Sequence, residues 1–399
     1  MTAQGKIGVA TATIIGMNAM IGSGIFTAPA TMAAYVGPAG ILAYVFVIIS
    51  VWFIAQSLAR VAALFPEEGS FYAYTKQWAG HKVGLFAGFF YLFGLLIAMG
   101  LLAQMAGTYL EFFLPFSPFA LGIGALIVLV LLNMFGVALS QAGQIILIIS
   151  TLFPLLAITL MCLSKAQIAN LTPFAPYGFG NVLKATRVVI FGFFGFECAA
   201  SLFNIVESPQ KNVPRALTYS IMMVGAIYTL FVSSIILSTP LHYFTDPRIP
   251  LSQTLNIIFP TMHWFIAVIH FSILSAIIGT IHSMVWSSSS LLIALTHKLR
   301  CSSIQTLNAR GWVNQRTSAF VIGLCILASY VTLKNPDLFF SLTALGIVTA
   351  FLLSIFTLLT IRSEWQSGQN IKTLIGMTTA LVILYFAAEG LVHELTQLW

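Results

Sequence analysis

Apolar stretches recur along the whole chain, and each is close to the length that a helix needs to cross a lipid bilayer. A hydrocarbon core of about 30 Å requires about 20 helical residues. Backbone groups in lipid must find hydrogen-bond partners within their own segment, so continuous runs of this length predict membrane helices rather than short alternating barrel strands. The eleven runs lie at residues 9–35, 39–64, 83–112, 119–139, 142–163, 188–206, 216–240, 261–296, 318–333, 338–361 and 373–392.

The composition excludes a chain whose surface faces water. Of the 399 residues, 59% are hydrophobic and only 7% are charged, whereas soluble chains carry about 25% charged residues. The lipid bilayer must therefore cover most of the exterior, and we predict an all-α integral membrane protein. The net charge of +7 does not indicate a nucleic-acid partner, because the Lys and Arg residues never cluster into one basic face. The four cysteines lack metal-ligand spacing, so we expect neither a metal nor a cofactor.

The distribution of positive charges predicts the orientation in the membrane. With the N-terminus in the cytoplasm, the cytoplasmic loops contain twelve of the 17 Lys and Arg residues, and the loops on the other side contain five. Positive residues are enriched in the cytoplasmic loops of membrane proteins. We therefore predict a multi-pass protein of the cell membrane, specifically a bacterial inner membrane, with a cytoplasmic N-terminus.

Two of the apolar runs contain glycines that indicate interrupted helices. The first run holds Gly22-Ser23-Gly24 at its middle, and the sixth holds Gly192 and Gly195, closely followed by Glu197. Glycine costs about 1 kcal/mol against alanine inside a helix. Interrupted helices at matching places in two halves of a chain point to an inverted-repeat transporter with its site between them. The alternative is that these glycines only permit close packing of helices.

The chemistry of an unwound turn suits a zwitterion. Backbone N–H groups at the start of one half-helix carry partial positive charge, which favours a carboxylate. Carbonyl oxygens at the end of the other half-helix favour an ammonium group. An α-amino acid carries both groups on one carbon, so it fits between the two ends without a charged side chain from the protein.

Three blocks of sequence resemble the amino acid–polyamine–organocation (APC) superfamily of transporters. Residues 20–29, MIGSGIFTAP, are similar to the GSG(I/V)F motif of the first helix. Residues 65–80 are similar to the loop after the second helix, with Ser70 in place of a glycine, and we expect an interfacial loop there. Residues 191–217 are similar to the segment of the sixth helix and its E-x-x-x-P continuation.

The resemblance implies a LeuT-type 5+5 inverted repeat with broken helices 1 and 6, working by alternating access. We assign residues 1–361 to the transporter core, with repeat one at about 7–164 and repeat two at about 183–361. Residues 362–399 would form an additional C-terminal helix. The family commonly has twelve membrane helices. We predict about eleven here with a twelfth possible, and this difference leaves the oligomeric state open.

The resemblance also implies a substrate site at the two breaks. Backbone N–H groups of the first break would hold the substrate carboxylate, and carbonyl groups at both breaks would meet its amino group. Phe191 would be the aromatic gate above the substrate, and Trp286 of the eighth helix a second lid. The predicted substrate-binding residues are Met20, Ile21, Gly22, Ser23, Gly24, Ile25, Phe191, Phe194 and Gly195.

Glu197 is the acidic residue that we place deep within a membrane run. A charge at the bilayer centre costs about 2.5–3.5 kcal/mol, so its position needs a physical reason. It is our candidate for proton coupling, because burial favours the neutral form of a carboxyl group. Two alternatives stay open: direct contact with a cationic substrate, and a purely structural, protonated residue bonded to unwound backbone.

Coupling to protons is expected, and coupling to sodium is the alternative. Some proton-driven members of the resembled family carry a lysine in the fifth helix, and the run at 142–163 has none. Hydroxyl groups of the eighth run could coordinate sodium, although such groups more often bond their own backbone. That run holds His270 and His282, each either a packed side chain or a proton relay. Its hydroxyl residues are Ser272, Ser275, Thr280 and Ser287 to Ser290.

The chain contains no P-loop or HExxH motif, so we predict a transporter rather than an enzyme. The apolar segment 94–104, which ends at Gln104, predicts with Phe191, Phe194 and Trp286 a pocket for neutral or hydrophobic amino acids. The predicted mechanism is proton symport or amino acid exchange. One alternative is a carrier of cationic amino acids, polyamines or other organic amines with Glu197 as direct ligand. Another is a non-transporting sensor.

Overall fold

The computed structural model describes residues 7–22, 24–65, 70–136, 141–197, 206–244, 255–256, 259–261, 263–361 and 367–397. Within these ranges the regular structure is helical, apart from one isolated β-bridge. The α-helices bounded within them are α1 (Val9–Met20), α2 (Gly24–Val36), α3 (Gly40–Leu64), α4 (Ser70–Leu110), α5 (Pro118–Met134), α6 (Gln141–Ser164), α7 (Gly180–Lys184), α8 (Thr186–Phe191), α9 (Pro209–Ser238), α10 (His263–Lys298), α11 (Ser302–Ala309), α12 (Gln315–Thr332), α13 (Pro336–Thr360) and α14 (Ser367–Gln397).

The apolar runs of the sequence coincide with these helices. The first run comprises α1 and α2, the third falls in the second part of α4, and the sixth begins in α8 and is described as far as residue 197. Within the described ranges, six helices are long and apolar enough to cross a membrane, and shorter apolar helices accompany them. The predicted multi-pass, all-helical architecture is confirmed, and the predicted count of about eleven crossings agrees with these segments.

Successive crossings run in opposite directions, so helix termini meet at two ends of the bundle. We call the end at which α1 begins the inner end, and the opposite end the outer end, after the predicted orientation. At the outer end, the hydroxyl of Tyr330 in α12 donates to the carbonyl oxygen of Phe119 in α5, at 3.0 Å. At the inner end, the Gln56 amide of α3 donates to the carbonyl oxygen of Pro214 in α9, at 3.3 Å.

Side-chain caps fix several helix starts. Ser117 accepts a hydrogen bond from the backbone of the first turn of α5, and Asn335 does the same for α13; a proline follows each of these two caps. Asn314 and Thr317 form a reciprocal capping box at the start of α12. The first N–H groups of a helix have no partner within it, so a cap next to a proline specifies where a crossing begins.

From Ser70 onwards, the segment after the second membrane helix is helical rather than an irregular loop, and residues 66–69 of the predicted loop lie outside the described residues. Helix α4 begins at Ser70 and continues to Gly80, where φ of +80° and ψ of −178° interrupt it before the membrane-spanning part. The Trp78 indole N–H donates to the carbonyl oxygen of Leu353 in α13, at 2.9 Å. The expected interfacial loop is therefore wrong in its secondary structure, because burial of the aromatic face against α13 stabilises a short helix at the inner end.

The broken helices lie in the middle of the bundle. α1 packs against α6 and α9, and α8 packs against α3 and α13. The backbones of α4 and α13 also lie close together beside the broken helices. A Cβ added to Gly346 of α13 would lie 2.7 Å from the Cα of Gly94 in α4. Gly94, the first residue of segment 94–104, therefore packs against α13. The boundaries of the two repeats, 7–164 and 183–361, stay a prediction.

Candidate functional site

The first break separates α1 from α2 at the predicted position. α1 ends at Met20 and α2 begins at Gly24. Between them, the N–H of Ile21 bonds to the carbonyl oxygen of Met17, and the N–H of Gly22 bonds to that of Met20, each at 2.8 Å. The helical hydrogen-bond ladder therefore stops at residues 21–22. Ser23, one of the predicted binding residues, lies outside the described residues.

The second break follows α8 and depends on a glycine. Residues 192–196 form turns after Phe191, and Gly195 has a φ of +112°, in the region that only glycine adopts without strain. A Cβ at Gly195 would also collide with the carbonyl oxygen of Ala19 in α1. Both the backbone angle and the close approach of α1 therefore require glycine at this position.

The two breaks touch each other. A Cβ added to Gly24 would lie 2.8 Å from the Cα of Gly192 and 3.2 Å from the ring of Phe191. The described residues of both predicted binding segments are buried around this contact. The structure thus brings together the sequence-predicted residues of the first and sixth runs. Their role in binding a substrate stays a prediction.

One carbonyl group predicted to meet a substrate amino group already has protein partners. The hydroxyl of Tyr228, in α9, donates to the carbonyl oxygen of Met20 at 2.9 Å, and Gly22 N–H bonds to the same oxygen. Tyr228 is almost completely buried. Its hydroxyl compensates for a carbonyl that the end of α1 leaves without a helical partner.

Glu197 lies just after the second break and is 6% exposed. The hydroxyl of Tyr91 in α4 donates to its Oε1 at 2.7 Å, and the N–H of Gly195 donates to its Oε2 at 3.0 Å. No lysine, arginine or histidine within the described ranges forms an ion pair with this carboxyl. The carboxyl group is therefore held by two neutral donors in the middle of the bundle.

Sequence reasoning missed both tyrosines at this centre. Tyr91 and Tyr228 lie inside long apolar helices and contact the breaks through their hydroxyl groups. A hydroxyl group inside an apolar run is the signal that could have indicated them, because a buried hydroxyl needs a hydrogen-bond partner.

Aromatic rings surround the two breaks. The ring centroid of Phe191 lies 6.4 Å from that of Phe194 and 5.1 Å from that of Phe340, and Phe351 lies 6.5 Å from Phe194. All are buried. This central aromatic cluster consists of Phe71, Tyr91, Phe191, Phe194, Phe196, Phe340 and Phe351. It gives the centre an apolar lining in which Glu197 is the charged group.

An ion pair closes the outer side of this centre. Arg187 of α8 bonds to Asp337 of α13 at 3.2 Å, and the hydroxyl of Tyr35 in α2 donates to the other carboxylate oxygen of Asp337 at 2.8 Å. Arg187 lies one helical turn before Phe191, and Asp337 lies three residues before Phe340. A polar layer therefore stacks on the aromatic layer, and it joins the half-helices α2 and α8 to α13. We call these three side chains the outer polar layer.

Helix α14 packs behind the outer polar layer. A Cβ at Gly390 would overlap the guanidinium group of Arg187. Nearer the surface, Lys184 pairs with Glu389 of α14 at 2.8 Å, with 53% and 39% of the two side chains exposed. Arg187 and Asp337, by contrast, are 15% and 12% exposed. The pair of Arg187 and Asp337 is therefore much better shielded from water than the pair of Lys184 and Glu389.

Backbone pairing closes the inner side. Ile7, just before α1, forms a β-bridge with Val206, which follows the sixth run. The N–H of Glu207 donates to the carbonyl oxygen of Ile7 at 3.0 Å, and Val206 is 1% exposed. The start of the first broken helix is thus tied to the end of the second at this end of the bundle.

Trp286 lies on the inner side of the breaks. Thr280 of the same helix faces Gly22, and Trp286 follows six residues later, about 9 Å along the helix. The carbonyl oxygen of Trp286 accepts a hydrogen bond from Gln315 at the start of α12, at 3.2 Å. The structure therefore separates it from the Phe191–Phe340 contact, and its role as a second lid stays a prediction.

The polar residues of α10 are mostly bonded to their own helix or to a neighbour. The hydroxyls of Ser272, Ser287, Ser289 and Ser290 donate to carbonyl oxygens three or four residues earlier in α10. Thr280 is the hydroxyl residue that lies beside the first break, facing Gly22. Within the described residues, no group of three or more His, Cys, Asp and Glu side chains is placed to hold a metal ion.

The two histidines of α10 lie in packed surroundings. Nδ1 of His282 lies within hydrogen-bond distance of the Asn133 amide of α5, at 3.0 Å. His270 packs against the rings of Tyr109 and Phe112 near the outer end, with centroids 5.3 and 4.3 Å away. The hydrogen bonds described above for Glu197 come from Tyr91 and Gly195 rather than from a histidine.

We predict that the outer polar layer holds the outer side of the bundle closed. Replacing Arg187 by glutamine removes a shielded charge-assisted hydrogen bond, whose contribution is about 1.5–3 kcal/mol. We expect opening of the outer side to become roughly ten- to a hundredfold more frequent. The measurement is maleimide labelling of Ser341→Cys, directly beneath the pair, in purified protein whose native cysteines are replaced by serine.

Lys184→Gln is the matched control for this measurement. It also removes an ion pair with α14 at the outer end, but exposed pairs contribute about 0–1 kcal/mol. Labelling of Ser341→Cys should therefore stay within about fivefold of the unmodified background. Equal labelling rates with Arg187 and with Arg187→Gln would show that the outer polar layer does not hold this side closed.

The helical architecture and the paired breaks agree with the predicted LeuT-type fold of a multi-pass membrane protein. A solved structure described as a substrate-bound outward-open state of a Na⁺-coupled sialic acid symporter has a similar fold. The TM-score is 0.63, and the match covers 96% of this chain and 89% of the other, at 14% sequence identity. At that identity the similarity shows the fold.

The chain belongs to the amino acid permease family, whose sequence profile matches residues 7–392. It is 24% identical over 292 residues to an uncharacterized transporter of Mycobacterium tuberculosis, covering 73% of this chain and 65% of the relative. It is 26% identical over 279 residues to the branched-chain amino acid permease BcaP of Bacillus subtilis, covering 63% and 58%. The chain thus spans less than two thirds of the length of these relatives. The relatives are named as permeases and transporters rather than as enzymes.

Proposed function

We propose that the protein is a secondary active transporter that carries amino acids by alternating access. The observation that carries the proposal is the contact between two interrupted helices at Gly24 and Gly192 in a chain of the amino acid permease family. The start of α2 at Gly24 has the positive end of a helix dipole, which favours the substrate carboxylate. Carbonyl groups of the two breaks would receive the substrate ammonium group.

The substrates that fit best are neutral or hydrophobic amino acids. The aromatic side chains Phe191, Phe194 and Phe351 lie around the breaks and offer apolar contact to a substrate side chain. Each carboxylate oxygen of Glu197 already accepts a hydrogen bond, from Tyr91 or Gly195. This engagement favours a proton-binding or structural role for Glu197 over direct contact with a cationic side chain.

Alternating access would proceed by separating the contacts at one end while those at the other end hold. The outer polar layer closes one side, and the pairing of Ile7 with Val206 closes the other. A substrate released at the inner end would enter the cytoplasm of a bacterium, given the proposed orientation in the inner membrane. Proton symport and amino acid exchange are the two coupling modes that we propose, with sodium coupling as the alternative.

Uptake by purified protein in proteoliposomes tests the proposal. A labelled panel of leucine, isoleucine, phenylalanine, alanine, lysine, arginine and putrescine would be offered with an inward proton gradient, with sodium, or with preloaded unlabelled amino acid. We expect the apolar amino acids to exceed arginine and putrescine by at least about tenfold, since an uncompensated buried charge costs several kcal/mol.

Each coupling condition separates one mechanism from the others. Accumulation with the proton gradient alone indicates symport, and uptake that requires preload indicates exchange. Protein-free liposomes are the control for leakage. Putrescine uptake without amino acid uptake would replace the proposal by an amine carrier, and no uptake of any compound would contradict transport of these substrates.

A further inference from the structure

A polar cavity at the inner end lies apart from the central breaks. It has a volume of about 280 Å³ and lies between the inner ends of α3, α9 and α14. The lining contains two cationic side chains and no carboxylate among the described residues; its main polar members are Gln56, Arg60, Gln210, Gln369, Lys372 and Thr373.

The cavity is a wedge between two helices that touch further into the membrane. A Cβ at Gly376 of α14 would lie 3.1 Å from the backbone carbon of Phe53 in α3. One turn nearer the inner end, Lys372 and Thr373 line the cavity. Gln369 and Lys372 are exposed, so the wedge opens to the surface at this end.

The cationic groups lie at the depth of lipid headgroups. Arg60 is four residues from the end of α3, which is about 6 Å along the helix, and Lys372 is five residues from the start of α14, about 7.5 Å. The hydrocarbon core of a bilayer is flanked by polar headgroup regions that account for 10–15 Å of the total thickness, roughly 5–8 Å on each side. In a bilayer whose inner surface lies at these helix ends, both charges are at the depth of the lipid phosphate groups.

Hydrogen bonds fix the wall of the cavity. The amide of Gln56 donates to Thr218 at 2.7 Å and to the carbonyl oxygen of Pro214 at 3.3 Å. The Trp52 indole N–H also donates to Thr218, at 3.3 Å, and the ammonium group of Lys372 lies 5.6 Å from the centre of the Trp52 ring. The cation from α14 is thus held against α3 by the face of an aromatic ring.

We propose that this cavity binds the phosphate group of an anionic phospholipid. Arginine and lysine are the side chains that bind phosphate esters most strongly, and the amides of Gln210 and Gln369 add uncharged donors to the lining. The Thr373 hydroxyl and the Gln56 amide already donate to protein oxygens and shape the wall. Basic pockets between membrane helices on the cytoplasmic side bind such headgroups. The same donors could bind free phosphate in water, but a wedge that opens at headgroup depth between membrane helices is continuous with the lipid. The site is independent of the amino acid that the protein carries.

Lipid-dependent stability of the purified protein tests the proposal. The thermal unfolding midpoint is measured in detergent with increasing phosphatidylglycerol, phosphatidylcholine or inorganic phosphate. We expect phosphatidylglycerol to raise the midpoint at concentrations at least about tenfold below those at which the other two act, because only this lipid brings both a net negative headgroup and acyl chains. The response should weaken as salt rises.

The variant Arg60→Gln/Lys372→Gln should lose this response, with at least tenfold more phosphatidylglycerol needed for half of the effect. The charge-conserving variant Arg60→Lys/Lys372→Arg should retain it, which separates loss of binding from loss of folding. Lys82→Gln/Arg316→Gln, which removes equal charge from exposed positions at the inner end, is the matched control and should respond like the wild type.

Two outcomes would overturn the proposal. One is an unchanged phosphatidylglycerol response in Arg60→Gln/Lys372→Gln, since the lipid would then act elsewhere. The other is an equal response to inorganic phosphate, which would make the ligand a soluble anion rather than a lipid. The uptake experiment on the amino acid panel is separate, so failure of either proposal leaves the other testable.

Discussion

Replacing Gly24 by valine is expected to weaken substrate binding severely and to reduce transport accordingly. The added Cβ would lie 2.8 Å from the Cα of Gly192 and 3.2 Å from its backbone nitrogen. These neighbours are backbone atoms, so the two breaks must separate rather than a side chain rotate. Separation would displace the start of α2 from the carbonyl groups that are proposed to hold the other end of the substrate.

The expected size follows from the contacts that would be lost. Two charge-assisted hydrogen bonds to the substrate, at about 1.5 kcal/mol each, correspond to a loss of affinity of roughly a hundredfold. Gly24→Ala should have a smaller effect of the same sign, because it adds one carbon atom rather than three. Affinity is measured by isothermal titration calorimetry with the preferred amino acid of the uptake panel.

Gly124→Val is the matched control for this substitution. Gly124 lies in the membrane helix α5, and no atom lies within 4 Å of a Cβ added there. The same chemical change should therefore leave affinity and uptake near those of the wild type. Thermal unfolding midpoints of both variants report whether each is folded. A folded Gly24→Val variant with unchanged affinity would place the substrate site away from the first break.

The crossings and the breaks were predictable because local physics determines them. Lipid cannot supply hydrogen bonds, so each apolar run must be helical. Most helices begin within a few residues of the predicted runs, whereas α4, α9 and α14 begin six or more residues earlier. Gly195 was recognisable because glycine is unfavourable inside a helix and a matching glycine break occurs in the first run; the structure adds its φ of +112°. These features can be derived from neighbouring residues alone.

The partners of the site were not predictable because they lie far apart in the chain. Tyr91 and Glu197 are separated by 106 positions, and Tyr228 and Met20 by 208. The pair of Arg187 and Asp337 joins positions 150 residues apart. One sequence contains no signal that selects these pairs from other polar residues in membrane runs.

The helix at residues 70–79 shows tertiary contacts overriding a local pattern. Its mixture of polar and aromatic residues is typical of an interfacial loop. In the structure Phe71 is buried, with its ring centroid 4.2 Å from that of Tyr91 and 5.7 Å from that of Phe351. Thr357 of α13 also donates to the carbonyl oxygen of Tyr74 at 2.9 Å. This segment therefore links the inner end to the aromatic cluster beside Glu197.

The surroundings of Glu197 allow its charge to be tested separately from its shape. A glutamine at this position can accept the N–H of Gly195 with its oxygen and donate its amide to the oxygen of Tyr91, because a tyrosine hydroxyl both donates and accepts. Glu197→Gln should therefore keep both contacts and fold normally. Leucine would remove the two carboxylate oxygens to which the Tyr91 hydroxyl and the Gly195 N–H donate, at about 1–3 kcal/mol for each lost hydrogen bond, and should lower the thermal unfolding midpoint.

Glu197→Gln is expected to eliminate accumulation driven by an inward proton gradient while substrate binding remains detectable. The amide cannot take up and release a proton, so a gradient would no longer supply free energy to transport. Exchange of labelled for unlabelled amino acid across proteoliposomes needs no proton and should continue. Tyr91→Phe is the control for the local hydrogen bond, since it keeps the carboxyl group and should keep a response to the gradient. The measurement is uptake at a series of external pH values, with and without preloaded substrate.

A wild-type dependence on pH in Glu197→Gln would exclude this residue as the proton site. Loss of exchange as well as of proton-driven uptake would show that Glu197 contacts the substrate or stabilises the second break.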